Sequence, residues 1–125
     1  MEMIKIILVE EGKPAREIEI EHTLDKMQEL VGGYIQARYP WKDPVALVCD
    51  DEGLYKYPFN RCVKDTIIAG TFFICGLTEE NFGSLSDDLV QKYKRMFAEP
   101  ESFFRTKNAL VCVNRHGIKK AIPIR

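Results

Sequence analysis

The chain has 125 residues, of which 46% are hydrophobic and 30% are charged, and its 18 lysines and arginines nearly balance 19 aspartates and glutamates. This apolar share is too high for a disordered chain, and eight glycines with six prolines are too few for a collagen-like or low-complexity sequence. The net charge of -1 argues against a wholly basic nucleic-acid binder and a strongly acidic DNA mimic. We therefore predict one globular domain over residues 1–125.

No apolar run approaches the roughly 20 residues that a membrane helix requires, and residues 1–5 lack the features of a secretory signal. We therefore expect a cytoplasmic protein that makes no membrane contact. The sequence has neither a C-x-x-C motif nor paired histidines, so we expect no metal and no cofactor. Four cysteines stand singly among apolar residues and are predicted to be buried, inert thiols rather than disulfides or catalysts: Cys49, Cys62, Cys75 and Cys112.

The first part of the chain predicts a β-hairpin followed by a helix. Residues 3–9 are apolar and β-rich, and residues 16–21 alternate polar and apolar side chains, which is typical of a half-exposed strand. Thr23 is placed to cap a helix over residues 24–31. Gly32 is placed to end that helix, because the residue after a helix often requires a positive φ.

The middle of the chain predicts three further strands. Residues 34–39 alternate in polarity, residues 45–49 form a continuous apolar run, and residues 67–77 form the most apolar segment. We predict that residues 67–77 form one core strand interrupted by glycines, with Gly70 marking a bulge or a close backbone approach. Residues 54–63 have an irregular pattern and are predicted to lack regular structure.

The last part of the chain predicts a second helix and two strands. Ser86 is a good N-cap for the helix, whose first turn is acidic and which Pro100 closes. Strands are expected at residues 109–113 and at the edge segment 118–124. Together these elements predict an α+β fold with a mainly antiparallel sheet of about six short strands and two helices.

Several motifs in the sequence resemble a family of bacterial and phage proteins, the domain of unknown function family 3846. The motifs that carry the resemblance follow one another in order at residues 29–35 (ELVGGYI), 43–48 (DPVALV), 58–61 (PFNR) and 68–74 (IAGTFFI). The similar stretch covers residues 3–77, with a looser match through the second helix, while the last 25 residues depart from the family pattern. The resemblance implies a small cytoplasmic protein, frequently carried by phages, plasmids or conjugative elements, and it implies no known reaction.

The segment from Tyr55 to Arg61 is the candidate ligand-binding site. Tyr55, Tyr57, Asn60 and Arg61 offer aromatic faces, an amide and a guanidinium, which suit a nucleotide, a phosphate or a carboxylate. The structural alternative is that Tyr57 and Phe59 pack at the edge of the core. In that alternative Arg61 forms an ion pair with one of three nearby aspartates, which are Asp50, Asp51 and Asp65.

The basic segment, residues 102–125, holds six basic residues and no acidic one. Within it, Arg115, Lys119 and Lys120 are the candidate nucleic-acid contacts, because basic side chains bind phosphates. The alternative is that this segment neutralises the acidic body of the protein, which carries all 19 acidic residues.

The sequence predicts no catalytic residues. His22 and His116 lie far apart in the chain, and no phosphate-binding or nucleophile-elbow motif is present. An enzyme that uses Cys62 or His116 with Arg61 ranks last, because no partner base is evident. We therefore expect a non-catalytic binding module of a phage or mobile element that recognises a host protein or a small anionic ligand. The alternative is a nucleic-acid-associated accessory protein.

Overall fold

An antiparallel sheet with apolar side chains on both faces forms the centre of the computed structural model, which describes residues 2–124. The strands of this part of the chain are β1 (Met3–Val9), β2 (Arg16–Glu21), β3 (Ile35–Arg38), β4 (Val45–Asp50), β5 (Phe59–Val63), β6 (Thr66–Ala69), β7 (Phe72–Leu77), β8 (Phe82–Gly83), β9 (Ser102–Arg105), β10 (Ala109–Asn114) and β11 (Gly117–Pro123). The helices are α1 (Leu24–Val31), α2 (Gly53–Lys56) and α3 (Asp87–Met96).

The central sheet has the strand order β2-β1-β7-β4-β3, and β8 pairs with the end of β7. All these pairs are antiparallel. The inner strands β4 and β7 are almost completely buried, because layers of the protein cover both faces of the sheet. The two outer strands of this order, β2 and β3, form its edges.

Helix α1 covers one face of the sheet and packs on alternate residues of β1, such as Ile4 and Ile6. The predicted caps of α1 are confirmed. The Thr23 side chain accepts a hydrogen bond from the Lys26 backbone N–H at 3.1 Å, and Gly32 adopts a φ of 87°. This cap sets the position of the turn that leads into edge strand β3.

Helix α3 and the two-stranded β5–β6 sheet cover the opposite face. Val90 and Tyr93 of α3 pack against Ile7 and Val9 of β1. The predicted N-cap of this helix is also confirmed, since the Ser86 side chain accepts from the backbone N–H of Leu89. A third, three-stranded sheet in the order β11-β10-β9 packs against β5.

The structure confirms the α+β class with mainly antiparallel strands, but the predicted counts are wrong. Residues 2–124 contain eleven strands and three helices rather than about six strands and two helices. The segment 54–63, which was predicted to be irregular, instead contains most of α2 and all of β5. These elements have only four and five residues, and so short a run shows too little periodicity to be predicted.

The prediction of one core strand over residues 67–77 is also wrong. The chain reverses at Gly70, which has a φ of 77°, so that β6 and β7 belong to different sheets. Both strands are apolar because both contribute to the core, and hydrophobicity alone does not reveal the reversal. The longest of the three helices has ten residues, and none in the described chain has the length and apolar character needed to cross a bilayer.

Candidate functional site

The structure buries the amide of the predicted ligand site. Asn60 on β5 is completely inaccessible to solvent. Its Nδ2 donates hydrogen bonds to the carbonyl oxygens of Val9 at 3.0 Å and Gly70 at 2.8 Å. The Asn60 side chain therefore joins the end of β1 to the turn between β6 and β7.

Arg61 is also completely buried, and none of its hydrogen-bond donors faces solvent. Its guanidinium donates to the Asn60 Oδ1 at 2.7 Å and to the carbonyl oxygens of Lys13 at 2.6 Å and Phe97 at 3.0 Å. Burial lowers the pKa of this guanidinium, and the charge of Glu101 opposes that shift. The structure thus gives Arg61 backbone and amide partners rather than the aspartates considered from the sequence.

The two aromatic residues of the predicted site lie in different environments. Tyr57 is half-buried, and its hydroxyl donates to the Gly32 carbonyl oxygen at 3.1 Å. Tyr55 is 89% exposed on α2. The predicted site therefore divides into a buried pair, Asn60 and Arg61, and an exposed tyrosine that does not share a surface with them.

A different group of residues surrounds Tyr55, and we call it the α2 surface: Asp51, Glu52, Leu54 and Tyr55. All four are exposed, and Leu54 reaches 54% exposure. A recess of about 210 Å³ is lined by Leu54 and Tyr55 together with Gln36 and Arg38 of β3. A second recess of about 300 Å³ is lined by the carboxylates of Asp51 and Glu52 and by Tyr34, which is 77% exposed.

An ion pair between a buried carboxylate and an exposed lysine holds the α2 surface in place. The Asp50 side chain is only 2% exposed, and its Oδ2 lies 2.6 Å from the Nζ of Lys56. Burial raises the pKa of this carboxyl, but the contact with Lys56 and a hydrogen bond from the Glu52 backbone N–H outweigh burial and leave the pKa below its usual value. The turn between β4 and α2 is therefore fixed by a charged Asp50.

Most of the chain matches one known protein family. Residues 4–98 match the family described as a domain of unknown function (DUF3846). The chain belongs to this family. No curated protein and no solved structure matches the chain.

The DUF3846 match ends before β9, so the three-stranded sheet lies outside it. Each candidate nucleic-acid contact of this sheet lies in an ion pair. Lys119 Nζ is 2.5 Å from Glu101 Oε2, Lys120 Nζ is 2.6 Å from Asp65 Oδ1, and Arg115 Nε is 3.0 Å from Glu99 Oε1. The sixth basic residue of the segment, Arg125, lies outside the described residues.

A buried carboxylate attaches this sheet to the DUF3846 domain. The Glu101 side chain is 3% exposed, and its Oε1 accepts from the Cys62 backbone N–H at 2.7 Å. The same oxygen lies 2.9 Å from the Cys112 Sγ, which donates to it. Burial, with the adjacent Glu101 carboxylate, raises the pKa of Cys112 to about 12, so this thiol stays protonated.

The two histidines lie in unrelated places. The Nδ1 of His22 is 2.5 Å from Glu2 Oε1, beside the start of α1. His116 lies in the turn between β10 and β11, where its Nε2 is 3.7 Å from Glu99 Oε1. Tyr34 and Glu52 were not predicted from the sequence as site residues, and Asp51 was considered only as a partner of Arg61. Exposed tyrosines and acidic turns are common, and only the fold brings these residues together.

Proposed function

We propose that this DUF3846 protein is a non-catalytic binding module that recognises a protein partner through its α2 surface. In the mobile-element setting that the family resemblance implies, this partner is a host protein. The observation that carries the proposal is Tyr55, which is 89% exposed beside Leu54 and borders a recess of about 210 Å³. Exposed tyrosines are common anchors of protein interfaces, and an apolar neighbour such as Leu54 adds surface that a partner can bury.

The charges of the α2 surface support a protein partner over a small anion. The groups that suit an anion, Asn60 and Arg61, are buried and already hydrogen-bonded. The carboxylates of Asp51 and Glu52 are exposed next to Tyr55 and form no ion pair within residues 2–124, whereas the exposed Lys56 is paired with Asp50. We expect the partner to present basic side chains to Asp51 and Glu52.

The buried thiols support a non-catalytic role. Burial raises the pKa of Cys49, Cys62, Cys75 and Cys112, and a protonated thiol is a poor nucleophile. The nucleic-acid alternative receives less support, because Arg115, Lys119 and Lys120 already face carboxylates. Binding phosphates would require these ion pairs to break.

A pull-down with matched variants tests the proposal. The bait is the full chain, and the variant Tyr55→Ser removes the most exposed anchor. Phe104→Ser is the control, because Phe104 is a 49% exposed aromatic on the separate three-stranded sheet. We expect a host protein that binds the wild type and Phe104→Ser equally, and that binds Tyr55→Ser at least tenfold more weakly once purified.

Two results would contradict the proposal. The first is a partner that binds Tyr55→Ser and wild type with the same affinity. The second is salt-dependent binding of nucleic acid that is lost in Lys119→Glu with Lys120→Glu and unchanged in Tyr55→Ser. The second result would show that the protein binds nucleic acid through the basic segment.

A further inference from the structure

We propose that two copies of this chain pair through their β3 strands, antiparallel, to form a dimer with one continuous central sheet. Each copy supplies the five strands of the order β2-β1-β7-β4-β3, so this order continues over ten strands in the dimer, while β8 of each copy stays paired with its own β7. This dimer does not depend on the proposed function. The two edges of the central sheet differ, and the difference favours pairing through β3.

Edge strand β2 is protected against pairing, whereas β3 is not. Glu17, Glu19 and Glu21 alternate along β2, and charged side chains on an edge discourage the addition of a further strand. Strand β3 carries one charged residue, Arg38, and is flanked by two exposed tyrosines, Tyr34 and Tyr39. An exposed edge of this composition is a template for another strand.

The register of β3 with β4 shows which backbone groups face the open side. The Asp51 N–H donates to the Tyr34 carbonyl oxygen at 2.9 Å, and Gln36 lies opposite Cys49. Because hydrogen-bonded and non-hydrogen-bonded pairs alternate in an antiparallel ladder, the even-numbered residues bond to β4. The backbone groups of Ile35 and Ala37 therefore point away from the sheet and are available to a second strand.

The charges along this edge favour a second copy as the occupant. The start of β3 lies beside the exposed carboxylate of Asp51, and its end carries the guanidinium of Arg38. Two such edges are complementary when they run antiparallel, since the acidic start of each then meets the basic end of the other. A strand from another protein would need the same arrangement of charges, with an acidic start and a basic end. A second copy of this chain already has it.

Charge and hydrogen bonding together select one register. Pairing Ile35 with Ala37 of the second copy uses the outward backbone groups of both strands. The same register places Arg38 opposite Tyr34 of the second copy, where a guanidinium can lie over the ring and approach Asp51. Gln36 then faces its own counterpart on the two-fold axis, with an expected Cα separation of about 4.5 Å.

This symmetry also fixes where the two α2 surfaces lie. A two-fold axis that relates directly opposed residues is perpendicular to the sheet, so each face of one copy continues into the same face of the other. Gln36 and Arg38 line the recess beside Tyr55. Both α2 surfaces therefore lie on one side of the dimer.

Cysteine cross-linking tests the interface and its register. The four native cysteines are buried, so an introduced surface thiol is the reactive one. A Cα separation of about 4.5 Å lies within the range that a disulfide spans. Cys49 lies directly opposite Gln36 on β4, so both variants also carry Cys49→Ala to prevent a disulfide within one copy. We expect Gln36→Cys to form a disulfide-linked dimer under mild oxidation, and the control Glu19→Cys on edge β2 to remain monomeric. The proposal would be overturned if the protein sediments as a dimer but Gln36→Cys forms disulfide-linked dimers no faster than Glu19→Cys.

Sedimentation of the full chain tests the pairing without oxidation. We expect a reversible dimer that dissociates on dilution. The variant Ala37→Pro removes an outward N–H without removing a bond to β4, so the monomer should fold while its dimer affinity falls at least tenfold. Arg38→Asp should weaken the dimer similarly, and Arg38→Asp with Asp51→Arg should restore it. A wild-type chain that stays monomeric up to about 1 mM would also overturn the proposal, because its pairing free energy would then be weaker than about −4 kcal/mol.

Discussion

A guanidinium that is removed from water stays charged in a fold only if its donors find acceptors. The Arg61 side chain is fully buried, and its two terminal nitrogens meet this requirement mainly with backbone carbonyls of the β1–β2 turn and of the residue that follows α3, whereas its Nε has no acceptor. One side chain thereby connects three segments that are distant in sequence. The residue that looked most suited to a ligand therefore acts inside the fold.

Replacing Arg61 with methionine should destabilise the protein by about 3 kcal/mol, because the acceptors at Lys13, Phe97 and Asn60 lose their donor. Arg61→Lys should recover only part of this loss, since one ammonium cannot reproduce the planar fork. The measurement is the free energy of unfolding in urea. Arg105→Met is the matched control, because Arg105 is exposed and forms no ion pair within the described chain. Equal losses for both methionine variants would contradict this account.

The reversal between β6 and β7 depends on a backbone conformation and on close packing at Gly70. Its φ of 77° is in the left-handed region, and an added Cβ would lie 2.4 Å from Cδ2 of Tyr57. This turn also supplies the carbonyl that Asn60 binds. The reversal and the burial of Asn60 are thus two aspects of one arrangement.

Gly70→Ala should destabilise the protein by about 3 kcal/mol, of which backbone strain contributes about 1 and the contact with Tyr57 the remainder. Gly12→Ala separates the two terms, because Gly12 has a φ of 71° but nothing within 4 Å of the added Cβ. We expect Gly12→Ala to lower the free energy of unfolding in urea only by the backbone-strain part, about 1 kcal/mol. If both variants lose the same free energy, the contact with Tyr57 contributes nothing.

Long periodic elements were predictable from sequence, whereas short ones were not. The caps at Thr23 and Ser86 and the strand over residues 3–9 have local causes, and the structure confirms all three. Strand β5 and the sheet change at Gly70 depend on contacts with distant segments, which no local pattern records. The burial of Asn60 and Arg61 was unpredictable for the same reason. Both side chains are polar, and only their hydrogen bonds to distant segments allow the fold to bury them.

At the scale of the whole molecule, several ion pairs connect different layers. Lys120 of the three-stranded sheet lies 2.6 Å from Asp65 of the β5–β6 turn, and Lys92 of α3 lies 2.6 Å from Asp43 before β4. Hydrogen bonds from these lysines lower the pKa of Asp65 and Asp43. These contacts therefore favour the charged form of Asp43 and Asp65, whereas burial in the core favours protonated thiols.

The protonated thiols give the protein an alkaline limit of stability. Burial raises the pKa of Cys75 to about 12, and burial with Glu101 raises that of Cys112 to about 12. In the unfolded chain a thiol has a pKa of about 8.5, so above this pH the unfolded state loses protons that the native state retains. The contribution of these thiols to the free energy of unfolding should therefore be constant below about pH 8.5 and fall from there towards pH 12, by up to about 1.4 kcal/mol per pH unit for each thiol.

Urea unfolding between pH 7 and pH 10.5 under reducing conditions measures this dependence, and Cys75→Ala isolates one thiol. The cavity left by the smaller side chain lowers stability equally at every pH, whereas loss of the thiol changes only the slope. We expect the variant to start less stable than the wild type and to lose less stability as the pH rises. Parallel curves for the two proteins would show that the Cys75 thiol ionises equally in the folded and unfolded states, and would remove it as a source of the alkaline limit.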